Sequence, residues 1–256
     1  MNRLQRLFGK KQNNLLSVYF TAGYPTLDST AEIINALDAG GVDMIEIGVP
    51  FSDPMADGPV IQESSTVALR NGMTLQRLLD QTAEARNVSS DIPLILMGYL
   101  NPFMQYGLEN LFKECKRIGI DALIIPDLPF KEYIETVKPL CDTYQIPVIM
   151  LITPETSDER IRLIDENCSG FIYMVSAAAT TGTRDSFTDE QYDYFNRIDK
   201  LNLKNRRLIG FGISNNATFT DACRHSSGAI IGSYFIKCLN SEPTIADAVK
   251  RLTAIR

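Results

Sequence analysis

Apolar residues in this chain come in short blocks that recur roughly every 25 to 30 residues, each followed by a loop and a helical stretch. Residues 15–21 form the first block, closed by the turn Ala22, Gly23, Tyr24, Pro25. Residues 26–39 then read as a helix with Ile33, Ile34 and Leu37 on one face and Gly40 and Gly41 at its end. Further blocks lie at 44–49, 92–97, 122–125, 147–152, 170–175, 208–211 and 229–231. Helical patterns fall at 60–70, 108–118, 131–144 and 158–167. The spacing predicts eight strands alternating with helices, a (β/α)8 TIM barrel forming one domain over residues 1–256. A doubly wound open sheet is the competing architecture. It would want a glycine-rich first βα turn, and Gly23 alone is not one. Leu4, Leu7 and Phe8 predict a short N-terminal helix that packs on the barrel; a targeting peptide is the lesser alternative.

The second block differs from the rest. Met44, Glu46 and Gly48 share one face of the strand, and Ile45, Ile47 and Val49 the other, so a carboxylate sits inside an apolar strand. Pro50, Pro54, Gly58 and Pro59 then force a stiff, irregular loop carrying Asp53 and Asp57. In a barrel the loops after the strands form the reactive face. Glu46, Asp57, Tyr99, Asp127, Thr153 and Tyr173 all fall on that side, which argues for an enzyme. A carboxylate facing a lumen of Met and Leu has its charged form disfavoured, so its pKa should rise toward neutrality, as a proton shuttle needs. An ion pair with an arginine is the plain alternative for Glu46, and starting the next helix is the plain alternative for Asp57.

Glycines mark the far end. Gly210, Phe211, Gly212 follow strand seven, and Gly232, Ser233 follow strand eight. Glycine lets the backbone approach an anion, and the next helix offers free N–H groups, so these turns predict a phosphate seat. Two ordinary turns are the alternative. The loop after strand six, from Ser176 to about residue 189, is long and rich in small residues, and predicts a lid over the substrate.

Composition narrows the chemistry. With 256 residues, 45% hydrophobic and a net charge of −6, the chain suits a soluble globular enzyme and not a nucleic-acid binder. Cys115, Cys141, Cys168, Cys223 and Cys238 show no paired spacing, which fits reduced thiols in the cytoplasm. A single histidine, His225, makes a Ser-His-Asp triad or a histidine zinc site hard to build, and no metal is expected. No lysine lies in the eight blocks, so a Schiff-base aldolase lacks its nucleophile. No apolar run is long enough for a membrane span.

The stretch EIGVPFSDPMADGPVIQ at 46–62 resembles the signature of the tryptophan synthase alpha subunit family. FTAGYP at Phe20, MGYLNP at Met97, PDLP at Pro126, GFGIS at Gly210 and IGS at Ile231 follow in the family's order, so the likeness spans essentially the whole chain. The resemblance implies a lyase of L-tryptophan biosynthesis that splits indole-3-glycerol phosphate into indole and glyceraldehyde 3-phosphate by acid–base retro-aldol chemistry. It implies no cofactor in this chain, and an α2β2 heterotetramer whose beta subunit carries pyridoxal phosphate. By the same resemblance Glu46 is the acid/base and Asp57 the carboxylate that meets the indole N–H. Gly182, Gly212, Gly232 and Ser233 match the phosphate contacts. Tyr19, Met97, Tyr99, Ile124, Tyr173, Phe211 and Ile231 match the indole pocket, Thr181 matches the lid, and Pro50, Asp53, Asn101 and Pro129 the face toward the beta subunit. Tyr19 stands where the family is expected to have Phe, and Ala179 and Thr180 where its lid has Gly and Val, which predicts a stiffer lid. A stand-alone lyase and a silent barrel that only activates a beta subunit are the alternative readings.

Overall fold

The computed structural model describes residues 2–176 and 186–256. Eight parallel strands close into a barrel in sequence order. They are β1 (Leu15–Thr21), β2 (Met44–Gly48), β3 (Leu94–Met97), β4 (Ala122–Ile124), β5 (Val148–Ile152), β6 (Phe171–Val175), β7 (Arg206–Gly210) and β8 (Gly228–Ile231). The expected (β/α)8 architecture is therefore the observed one. Helix α1 (Arg3–Lys10) precedes the barrel, its N-cap Asn2 and Gln5 forming a reciprocal capping box. It lies against the barrel base, where buried Leu4 joins the lumen cluster together with Leu7 and Phe8.

Two layers of core follow from strand alternation. Leu15, Met44, Ile95, Ile124, Ile149, Phe171, Tyr173, Leu208 and Ile230 fill the lumen. Their strand neighbours Leu16, Ile45, Leu96, Leu123, Val148, Ile172, Ile209 and Ile231 pack outward under the helices. Those helices are α2 (Ser29–Ala39), α3 (Pro59–Arg70), α4 (Leu75–Arg86), α5 (Leu100–Tyr106), α6 (Leu108–Ile118), α7 (Phe130–Glu132), α8 (Lys138–Tyr144), α9 (Asp158–Asn167), α10 (Asp189–Asp199), α11 (Asn216–His225), α12 (Ser233–Ser241) and α13 (Ile245–Thr253). A π-helical turn, Tyr133–Val137, joins α7 to α8.

The structure corrects the sequence pattern in several places, β3 starting at Leu94 and not at 92 among them. Helix α5 occupies part of what read as a loop, because Pro102 sits in its first turn, where a backbone N–H is not needed. Helix α4 had no counterpart in the pattern; four buried residues, Leu78, Leu79, Thr82 and Ala85, dock it, and Thr82 is polar. Strand β7 begins two residues early, at Arg206, and ends before Phe211, whose φ of +72° breaks the extended run. The Arg206 head reaches out at the base to the carbonyls of Phe8 and Gln12, so a charged residue can start a strand.

Candidate active site

Glu46 lies at the centre of β2, opposite Tyr19 of β1 and Ile95 of β3. It is fully buried in the lumen. The Ser17 hydroxyl donates to Glu46 Oε1 at 2.6 Å, and Oε2 has no hydrogen-bond partner among the described residues. No ion pair involves it among those residues, so the arginine alternative falls away. Burial pushes the Glu46 carboxyl up to about 7, and the Ser17 hydroxyl partly offsets that rise.

Asp57 sits on the loop that β2 feeds. It is buried, and the Tyr99 hydroxyl donates to its Oδ2 at 2.8 Å. The same hydroxyl accepts from the Ala56 backbone N–H at 2.9 Å, and the Tyr99 ring stacks on Phe51 with centroids 5.2 Å apart. One tyrosine after β3 thus clamps the loop after β2. Burial raises the Asp57 carboxyl to about 6, with the Tyr99 hydrogen bond pulling the other way. Asp57 does not cap the next helix: the N-cap of α3 is Gly58, with no side-chain cap, and Pro59 opens the first turn.

Aromatic rings span the lumen between these acids and the glycine turns. The Tyr19 hydroxyl lies over Gly48, where an added Cβ would be 2.2 Å away, and the Tyr173 hydroxyl lies over Gly210 at a corresponding 2.3 Å. Each glycine is a slot that lets a tyrosine lie flat across the barrel mouth. Tyr173 meets Phe211 edge to face at 6.4 Å. A Cβ on Gly232 would come 3.3 Å from the Tyr19 ring, so Tyr19 touches the start of α12 on one side and pairs with Glu46 on the other. Both carboxylates act on the Tyr19 and Tyr173 hydroxyls, which burial holds in the protonated form well above the ordinary tyrosine range.

At the glycine end, Gly212 has a φ of +76°, a conformation that favours glycine, and among the described residues the Ser176 hydroxyl, at 4.0 Å, is the nearest group to its Cβ position. Ser176 donates to the Phe211 carbonyl at 2.8 Å and ties the end of β6 to this turn. Gly232 is the N-cap of α12 and Ser233 its first residue; glycine offers no side-chain cap, so the first N–H groups of the helix have no partner in the helix or its cap.

Other expected positions fare unevenly. Met97 and Ile124 join the lumen cluster. Ile231 does not: it packs outward beside Val18, and Ile230 takes the lumen position, because side chains on a strand alternate. Asp53, Asn101 and Pro129 are exposed, whereas Pro50 is buried and offers no surface to a partner. Gly182, Thr181, Ala179 and Thr180, and with them the expected lid, lie outside the described residues. Ser17 and Gly48 are site builders that the pattern did not single out, and Gly210, expected at the phosphate seat, also makes room for Tyr173. The legible signals were a hydroxyl and a glycine at lumen-facing positions of apolar strands.

The family model for the tryptophan synthase alpha chain matches residues 4–255. The chain belongs to the tryptophan synthase alpha chain family. It is 58% identical to the tryptophan synthase alpha chain of Parabacteroides distasonis over 98% of each chain. It is 56% identical to that of Bacteroides fragilis over 100% of this chain and 97% of the relative. Among solved structures, a tryptophan synthase of Mycobacterium tuberculosis superposes with a TM-score of 0.89 at 26% identity, covering 99% of this chain and 97% of that one. The alpha subunit from Legionella pneumophila gives a TM-score of 0.88 at 30% identity, covering 99% and 96%. As a tryptophan synthase alpha chain family member, the protein is a lyase of tryptophan biosynthesis that cleaves indole-3-glycerol phosphate.

Proposed function

We propose that this cleavage runs on two carboxylates held in opposite protonation states, Glu46 as the acid and Asp57 as the anion. The observation that carries the reading is the Glu46 carboxyl, sealed in the lumen with one oxygen engaged and the other unpartnered among the described residues. Burial raises both carboxyls, Glu46 to about 7 and Asp57 to about 6, the order that a neutral Glu46 beside an ionised Asp57 requires.

The sequence of steps follows from that order. Neutral Glu46 gives its proton to the indole carbon that bears the side chain, and positive charge develops on the ring nitrogen. Asp57, ionised and pinned by Tyr99, accepts a hydrogen bond from the ring N–H and stabilises that charge. The Glu46 carboxylate then takes the proton from the neighbouring chain hydroxyl. A carbonyl forms there, the carbon–carbon bond breaks, and the electron pair returns to the ring. Indole and glyceraldehyde 3-phosphate leave, and Glu46 is again protonated. No cofactor enters these steps.

Tyr19, Met97, Tyr99, Ile124, Tyr173 and Phe211 would line the indole pocket, with Ile230 in place of Ile231. Gly212, Gly232 and Ser233 would hold the phosphate, joined by Gly182 and the lid residue Thr181. A beta subunit is the partner that family membership implies, in an α2β2 assembly, with pyridoxal phosphate on the beta side. Asp53, Asn101 and Pro129 would face it. Met55 and Met104, 92% and 59% exposed, lie on the same two segments as Asp53 and Asn101 and supply apolar surface for such a contact. Among the described residues no helix is long and apolar enough to cross a membrane, in keeping with a cytoplasmic setting.

The test is to supply indole-3-glycerol phosphate and follow indole, with and without the beta subunit. Indole formation that rises when the beta subunit is added supports a coupled alpha chain. A rate that is high and indifferent to the beta subunit points to a stand-alone lyase, and no indole under either condition refutes the reading. Gly232→Asp should weaken binding of a phosphorylated ligand by charge repulsion; unchanged affinity removes the phosphate assignment.

A further inference from the structure

We propose that Ser17 is a positioning residue that decides which Glu46 oxygen carries the reacting proton; this rests on the assignment of Glu46 as the acid. Ser17 is a polar residue in the lumen-facing row of β1, between Leu15 and Tyr19. Its neighbours in register, Met44 and Ile230, are apolar. A hydroxyl there without a partner would cost free energy, and the one side chain it reaches among the described residues is Glu46. Both residues are fully buried, so no water competes from bulk solvent.

The geometry makes the two carboxyl oxygens unequal. The Ser17 hydroxyl has no other acceptor among the described residues, so it donates to Oε1 in both charge states of Glu46. The proton is then confined to Oε2, the oxygen without a partner among the described residues. A rotation of the carboxyl that exchanged the oxygens would break the 2.6 Å bond. Ser17 therefore holds the acid in one orientation through the cycle. Because it donates, it also stabilises the carboxylate that forms after the first proton transfer.

The titratable groups that face Glu46 are Tyr19 on β1 and Tyr173 on β6, and Asp57 acts on the same two hydroxyls. Burial keeps both phenols protonated, and no lysine or arginine among the described residues contributes to the Glu46 shift. Ser17 is thus the one hydrogen-bond donor among the described residues set against the burial penalty.

The experiment compares Ser17→Ala, Ser17→Thr and Glu46→Gln in the full chain, with indole formation from indole-3-glycerol phosphate measured across pH. Ser17→Ala should lower kcat about tenfold with KM nearly unchanged, as expected for a lost hydrogen bond to a charged group. The alkaline limb of kcat/KM should move up by about one pH unit, since the carboxylate has lost its donor. Ser17→Thr keeps the hydroxyl and should restore both. An unchanged limb in Ser17→Ala overturns the proposal, as does equal loss in the Ala and Thr variants, which would mark a packing role. If Glu46→Gln keeps turnover, the acid assignment itself fails. If Glu46→Gln is inactive and Ser17→Ala behaves like the parent, the acid assignment stands and the proposal about Ser17 falls.

Discussion

The two ends of the barrel treat a buried carboxylate in opposite ways. At the base, Asp121 is 2% exposed and saturated: its oxygens accept from the backbone N–H of Arg3 and of Leu94, and pair with the guanidinium groups of Arg3 and Arg86. Buried Asp165 and part-buried Asp43 also meet several donors there. Asp165 accepts from the backbone of Lys204 and Asn205, and Asp43 from the backbone of Leu16 and from Lys11. At the mouth, among the described residues, Glu46 meets a single hydroxyl and Asp57 a single phenol. At Asp121 burial also raises the carboxyl, but charge-assisted donors oppose that rise, and a carboxylate so wrapped fixes the chain. One starved of donors holds its proton to near neutrality and can give it away. The difference teaches that stability and reactivity are set here by the number of donors a carboxylate meets, and that the fold segregates the two at opposite ends of the strands.

Four measurements would break or sharpen that contrast. Glu46→Gln should cut indole formation by roughly a thousandfold while binding of substrate persists, the scale of a lost general acid. Asp121→Ala should do the reverse. It removes the carboxylate partner of two part-buried arginines and the acceptor of two backbone N–H groups, and should cost about 3–5 kcal/mol, or a drop of roughly 10 °C in Tm. The rate per folded molecule should hold, and a Tm that does not move would end the contrast.

The third concerns pH. Folded Glu46 keeps its proton to about 7 against an ordinary 4.5, so the folded chain binds more protons than the unfolded one between those values. The resulting stability is fully present below about 4.5 and is lost as pH rises through about 7. At pH 8 Glu46→Gln should therefore unfold later than the parent, by an amount on the order of 2–3 kcal/mol, and the gain should vanish near pH 4. A gain that is constant with pH would place its origin elsewhere. The parent's kcat/KM should fall below about 6, where Asp57 gains a proton, and above about 7, where Glu46 loses one.

The smallest expected effect belongs to Tyr99→Phe. It removes the donor to Asp57 and the acceptor for Ala56, and should lower kcat/KM about tenfold while moving the acid limb upward. An unmoved acid limb would mean that Tyr99 holds the loop without tuning Asp57.

Much of this was legible in the chain itself. The recurrence of apolar blocks determined the barrel, because a parallel strand needs a helical crossover and eight such units close. Glu46 could be placed in the lumen from its two-residue alternation with Met44 and Gly48, and Asp57 on the reactive face from the prolines around it. Local pattern failed where packing between distant residues decides the outcome. Whether Ile230 or Ile231 faces inward depends on register against β1, which neighbouring apolar residues in a short strand do not specify. That Tyr99 grips Asp57 across 42 residues, and Ser17 grips Glu46 across 29, are facts of proximity that the pairing of β1 with β2 and of β2 with β3 creates. The sequence settled which groups line the reactive face; tertiary structure decided how many donors each acid meets, because that number depends on which strands become neighbours.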